Sequence, residues 1–96
     1  MPTREYSDTA TIQFTAAVAA ANVTFPFTVG KIIIWGDGTN DFYFDFNATA
    51  VSSGASALYD ASIGQVITIE GGRLNTMSIL RHTGDAKVNV IAFKVG

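Results

Sequence analysis

Apolar and polar residues alternate with period two through most of this chain, the pattern of half-buried β-strands. The alternation is clearest between Lys31 and Asn47. Ile32-Ile33-Ile34-Trp35 is the densest apolar run, and Phe42-Tyr43-Phe44-Asp45-Phe46 alternates strictly. Between them lie the turn-forming residues Gly36-Asp37-Gly38-Thr39-Asn40. β-Branched and aromatic residues favour strands, and Asp-Gly tolerates the positive φ of tight turns. The stretch therefore predicts a β-hairpin with a loop of about five residues. Phe42, Phe44 and Phe46 then face a core, while Asp41, Tyr43, Asp45 and Asn47 face outward.

The rest reads as strands around that hairpin. Met1 to Asp8 is polar and predicts an arm, leaving residues 9–96 as one domain. Thr9 to Thr15 places Thr9, Thr11, Gln13 and Thr15 on one face and Ala10, Ile12 and Phe14 on the other. Ala16 to Ala21 suits either one helical turn or an extended connection. Asn22 to Val29 alternates again, and Pro26, which lacks an amide donor, belongs at an edge or a bulge. Gly30 separates it from the central hairpin. Ala48 to Ala57 is rich in Ser, Ala and Gly and predicts a long loop, followed by a short strand at Leu58-Tyr59. Gln65 to Glu70 is a strand punctuated by Gly71-Gly72. Leu74–His82 and Ala86–Val95 predict a second hairpin across Thr83-Gly84, which would oppose Ile79 to Val88, Met77 to Val90 and Leu74 to Phe93. The apolar phase of the last strand switches near Val90-Ile91, which calls for a bulge or for burial of both faces.

About eight short strands at spacings of roughly 8–12 residues, with no convincing helix, predict an all-β protein: an antiparallel β-sandwich, jelly-roll-like. A seven-stranded immunoglobulin-like sandwich fits less well.

Composition sharpens this. The 96 residues suit a single domain. Hydrophobic residues make up 48% and charged residues 15%, against about 25% charged in typical domains. So charge-poor a surface favours burial of outer surface in an assembly. The net charge of −2 and six scattered basic residues offer no field for nucleic acid. No cysteine is present, so disulfides and thiolate metal sites are excluded. The start lacks a signal-peptide core, and no apolar run approaches the roughly 18 residues of a membrane helix. Synthesis in the cytoplasm, with no membrane contact, is the expectation.

Candidate chemistry is thin. Asp41 and Asp45 share a strand face but lie roughly 13–14 Å apart, beyond the roughly 5–9.5 Å pairing of glycosidases. Asp37-Gly38-Thr39-Asn40-Asp41 offers oxygen ligands without the later glutamate and helices of a calcium loop. The single histidine, His82, stands beside a turn, and Ser52, Ser53 and Ser56 lack a nucleophile elbow. Gly36-x-Gly38 and Gly71-Gly72 precede no helix that would cradle a phosphate. Aromatic faces suit sugar rings, which makes Tyr43, with Asp41 and Asp45 on either side of it, and Tyr59 candidates for contact with a glycan or protein partner; Trp35 reads as core. No cofactor is implied, and an enzyme is the least favoured class.

The runs KIIIWGDGTNDFYFDFN and ITIEGGRLNTMSILRHTGDAKVNVIAF resemble small virion proteins of tailed bacteriophages, over roughly residues 30 to 95. The resemblance implies a β-sandwich that decorates or joins parts of a capsid or tail, without catalytic residues. It yields the expectation of a capsid decoration (cement) protein, located in the virion and bound to the major capsid protein or other virion proteins. By analogy it would form a homo-oligomer, a trimer. The threonine face of the first strand and the two-faced last strand would dock on neighbours. The alternative is a carbohydrate-binding module or a receptor-contacting tail or neck component.

Overall fold

A computed structural model describes residues 6–36, 38, 40–52, 56–61 and 64–95. They form six strands: β1 (Tyr6–Ala16), β2 (Ala21–Gly36), β3 (Phe42–Phe46), β4 (Ala57–Tyr59), β5 (Ile67–Arg81) and β6 (Ala86–Val95). All pair antiparallel in one sheet of order β1-β6-β2-β5-β3-β4. The all-β antiparallel class expected from the alternation holds.

The strands are fewer and longer than the pattern suggested, because two glycine breaks are bulges rather than ends. β2 runs through Gly30 for 16 residues and β5 through Gly71-Gly72 for 15. From Thr24 to Val29, β2 advances five residues while β5 moves only from Thr76 to Leu74. From Val29 to Lys31 the excess passes to β5, which moves from Leu74 to Glu70 with Gly71 at φ +100°. A side chain there would be strained, and glycine is not. Pro26 falls inside the first irregularity, where its missing N–H breaks no ladder bond.

These irregularities bend the sheet. In a flat sheet, strands three places apart are about 14 Å from one another. Yet the Arg81 N–H at the end of β5 donates to the carbonyl of Ala17, just past β1, at 3.1 Å. Likewise a Cβ placed on Gly36 of β2 would lie 3.1 Å from the Tyr59 ring of β4. The sheet has curled until its two halves face each other. The jelly-roll-like part of the expectation, strands divided between two sheets, gives way to one hydrogen-bonded sheet folded on itself.

Both expected hairpins are corrected. β2 does not pair with β3, since β5 lies between them; β5 does not pair with β6, since β2 lies between them. The steps from β1 to β2, from β2 to β3 and from β5 to β6 instead pass from one half of the curl to the other. Four or five residues reach at most about 13–18 Å, enough for the ~10 Å between packed β layers. Two of these arches brace each other. His82 N–H donates to the Asp41 carbonyl at 3.2 Å, and the Asn40 side-chain amide donates to the Asp85 carbonyl at 2.9 Å.

One buried cluster fills the curl. One half supplies Ile32, Ile34, Val88, Val90 and Ala92, and the other supplies Phe42, Phe44, Tyr59, Met77 and Ile79. Phe42 and Tyr59 stack at 4.6 Å between centroids, 11° from parallel. β6 keeps one inward phase, Ala86-Val88-Val90-Ala92, with an unbroken register to β1 from Phe93 to Ala86. No bulge marks Val90-Ile91; its outward apolar residues Ile91, Phe93 and Val95 are half-buried. The accessible surface is 5230 Å², close to the ~5300 Å² of a compact monomer of this mass. The curl therefore closes the core within one chain. β1 begins at Tyr6 and so takes in the end of the expected arm; residues 1–5 lie outside the described residues.

Gly36→Ala tests the closure. Its new methyl group would press on Tyr59 and Phe42 at 3.1 and 3.3 Å, which predicts a loss of about 1–3 kcal/mol in urea unfolding. Unchanged stability would mean that the two halves do not meet there.

Candidate functional site

The register sorts the outward residues into two faces. On the face built from β1, β6, β2 and the first part of β5, three rows cross the strands. They are Thr9–Phe93–Lys31–Glu70, Thr11–Ile91–Ile33–Thr68 and Gln13–Asn89–Trp35. Phe93, Ile91, Ile33 and Trp35 thus form an apolar stripe, all half-buried, between a threonine row and a polar strand. The Lys31 ammonium lies 5.2 Å from the Phe93 ring centre, a cation–π contact. Gln13 donates to Asn89 at 2.9 Å. Trp35, expected in the core, faces this surface, because the buried phase of β2 runs through Ile32 and Ile34.

On the other face, β3 sets Tyr43 between Leu58 and Leu80. Tyr43 points outward as its alternation requires, with its ring edge-on to His82 at 5.5 Å. The remaining candidates serve the fold. Tyr59 is 1% exposed, stacked on Phe42, with its hydroxyl donating to the Gln65 carbonyl, so its ring offers no surface. One Asp41 carboxylate oxygen accepts from Ala61 N–H at 2.8 Å. Asp45 accepts from Phe46 N–H and from the Ser56 hydroxyl, which in turn accepts from Val51 N–H. Ser78, 2% exposed, accepts from Ala50 N–H at 2.8 Å. These bonds pin the loop after β3 across the outer face and satisfy the polar groups that it buries.

The proposed calcium stretch is partly consumed, since Asn40 and Asp41 bond to the neighbouring loops; Asp37 and Thr39 lie outside the described residues. Ser53 does as well. Among the described residues no cluster of three or more His, Asp or Glu is placed to hold a metal ion. The ion pair Arg81–Asp85 at 2.9 Å is exposed and worth little.

One residue carries more structure than its place in the pattern revealed. Asn47, with φ +57°, ends β3 in the left-handed region. Its N–H donates to the Thr76 carbonyl, its side-chain oxygen accepts from Asn75 and Thr76 N–H, and its amide donates to the Arg73 carbonyl. Asn tolerates that conformation and mimics a strand partner. The sequence placed it in the outward phase of a strand; only its position right after the aromatic run hinted at a cap. A cleft of about 280 Å³ opens beside it, lined by Asn22, Asn47, Ala48, Thr49 and Thr76, all uncharged.

No protein-family model matches the chain, and no curated protein matches it.

Asn47→Ala removes three side-chain bonds and strains the backbone, and should cost about 2–3 kcal/mol. Asn47→Gly removes the same bonds without the strain and should recover about 1 kcal/mol of that, as read by chemical denaturation. Equal losses would show that the backbone conformation contributes nothing.

Proposed function

We propose that this chain is a structural component of a bacteriophage particle, a decoration protein that cements its shell through surface contacts. The observation that carries the reading is the outer stripe Phe93–Ile91–Ile33–Trp35. It is a half-buried apolar surface that lies outside the closed core, on a chain with few charges. Partner surfaces of this kind have apolar and aromatic centres with polar rims. Here Thr9, Thr11 and Gln13 form one rim, and Thr68 and Glu70 the other. The resemblance of residues 30–95 to tailed-phage virion proteins points the same way. The mechanism is mechanical. Apolar area covered between units contributes roughly 25 cal/mol per Å² before association costs, and repeated over a shell this resists outward pressure. The polar groups of Asp41, Asp45 and Ser56 are engaged in holding loops, which fits a building block better than a catalyst.

A second reading is contact with a glycan, as in a receptor-binding fitting. It is favoured by the uncharged amide and hydroxyl cleft at Asn22, Thr49 and Thr76, with Tyr43 as the outward aromatic on β3.

Cosedimentation of the purified chain with phage shells stripped of accessory proteins tests the first reading. Saturable binding is expected, weakened at least about tenfold by Trp35→Gln, as for loss of an aromatic anchor, with the fold intact by circular dichroism. Failure to bind any particle, together with saturable glycan binding lost on Thr49→Ala, would replace it with the second.

A further inference from the structure

We infer that β1 is a docking edge for β1 of a second copy of this chain, joining two curled sheets into one across a two-fold axis. β1 is the end strand of the sheet, and among the described residues nothing pairs with its outer side. Its register to β6 is unbroken for eight residues, Thr9 to Ala16, so its free side is straight and regular. Edge strands are ordinarily blunted by charge, proline or bulges. Here no charged residue occurs between Asp8 and Lys31, and no proline between Pro2 and Pro26. Other edges are blunted. The first part of β2, which lacks a β6 partner before Val29, carries Pro26. β4 is three residues long. The exposed part of β5, Ile67–Glu70, runs into Glu70 and the bulge at Gly71.

The occupant follows from the strand's own pattern. Antiparallel pairing about Ile12 opposes Thr9 to Thr15, Thr11 to Gln13 and Ala10 to Phe14. Polar residues meet polar ones on the outer face, and apolar residues meet apolar ones on the inner face. Ile12 and Phe14, half-buried in one copy, would close over each other. Charge agrees with this orientation. Antiparallel copies place the two Asp8 residues at opposite ends of the paired strands, whereas parallel copies would set them side by side. A head-to-tail contact of β1 with β4 would pair at most the three residues of β4, and rings such as a trimer require head-to-tail contacts. The edge therefore specifies a dimer. Because the core is closed in one chain, each copy folds alone and the pairing is reversible.

Sedimentation equilibrium of the full chain, with no particle present, tests this independently of the virion reading. The unaltered chain should approach twice its 10.2 kDa mass with rising concentration. Thr11→Lys/Gln13→Lys puts like charges across the two-fold axis on exposed positions, at the cost of one exposed bond to Asn89. It should remain at the single-chain mass, with an unchanged circular dichroism spectrum. Val66→Lys/Thr68→Lys, adding the same charge at exposed positions just before and within the start of β5, should still dimerise. A single-chain mass for the unaltered protein at all concentrations would overturn the inference, as would a dimer that survives the β1 lysines or dissociates equally with the β5 ones. A monomer that nevertheless binds shells through β1 would assign the edge to a strand of the shell protein instead.

Discussion

A sheet with one apolar face and no helix to cover it must cover itself. That constraint governs this molecule. Six strands present Ile32, Ile34, Val88 and Val90 on one half and Phe42, Phe44, Met77 and Ile79 on the other, and only curling brings the two together. The bulges at Gly30 and Gly71 allow β2 and β5 to bend. The crossings from β1 to β2, β2 to β3 and β5 to β6 then follow, because every strand that leaves one half at that end must re-enter on the other. At Gly36 the closure leaves no room, since any side chain there would meet the Phe42–Tyr59 stack.

The strands were legible in the sequence; their partners were not. Period-two alternation fixes which residues share a face, and β3 and β6 run where the pattern put them. The same alternation says nothing about which strand lies alongside. Gly36 to Asn40 and Thr83-Gly84 have hairpin composition, yet turn residues serve an arch as well as a hairpin, since both need compact backbone. The apolar pairing of Ile79 with Val88 looked like register evidence. Both residues do enter one core, but from facing halves rather than adjacent strands. Gly30 and Gly71 read as strand ends because a bulge and a break carry the same residue.

The candidate site divides in the same way. Tyr43 faces outward as its phase demands, and Asp45 shares its outer side while holding Ser56. Tyr59 misled because its strand is three residues long, too short for a phase to be read, and its ring completes the core. Trp35 was assigned to the core on hydrophobicity alone, whereas the phase of Ile32 and Ile34 already placed it outside. With Trp35 outside, an apolar stripe lies on the outer face of β6 and β2, next to the uncharged edge strand β1.

Solution NMR tests the curl most directly, through contacts between protons close in space. The account predicts cross-strand contacts of Ile33 with Thr68 and Ile91, together with contacts from the Gly36 α-protons to the Phe42 and Tyr59 rings. Backbone contacts pairing Ile32–Trp35 directly with Phe42–Phe46, without Gly36 reaching Tyr59, would restore the hairpin and contradict the folded-over sheet.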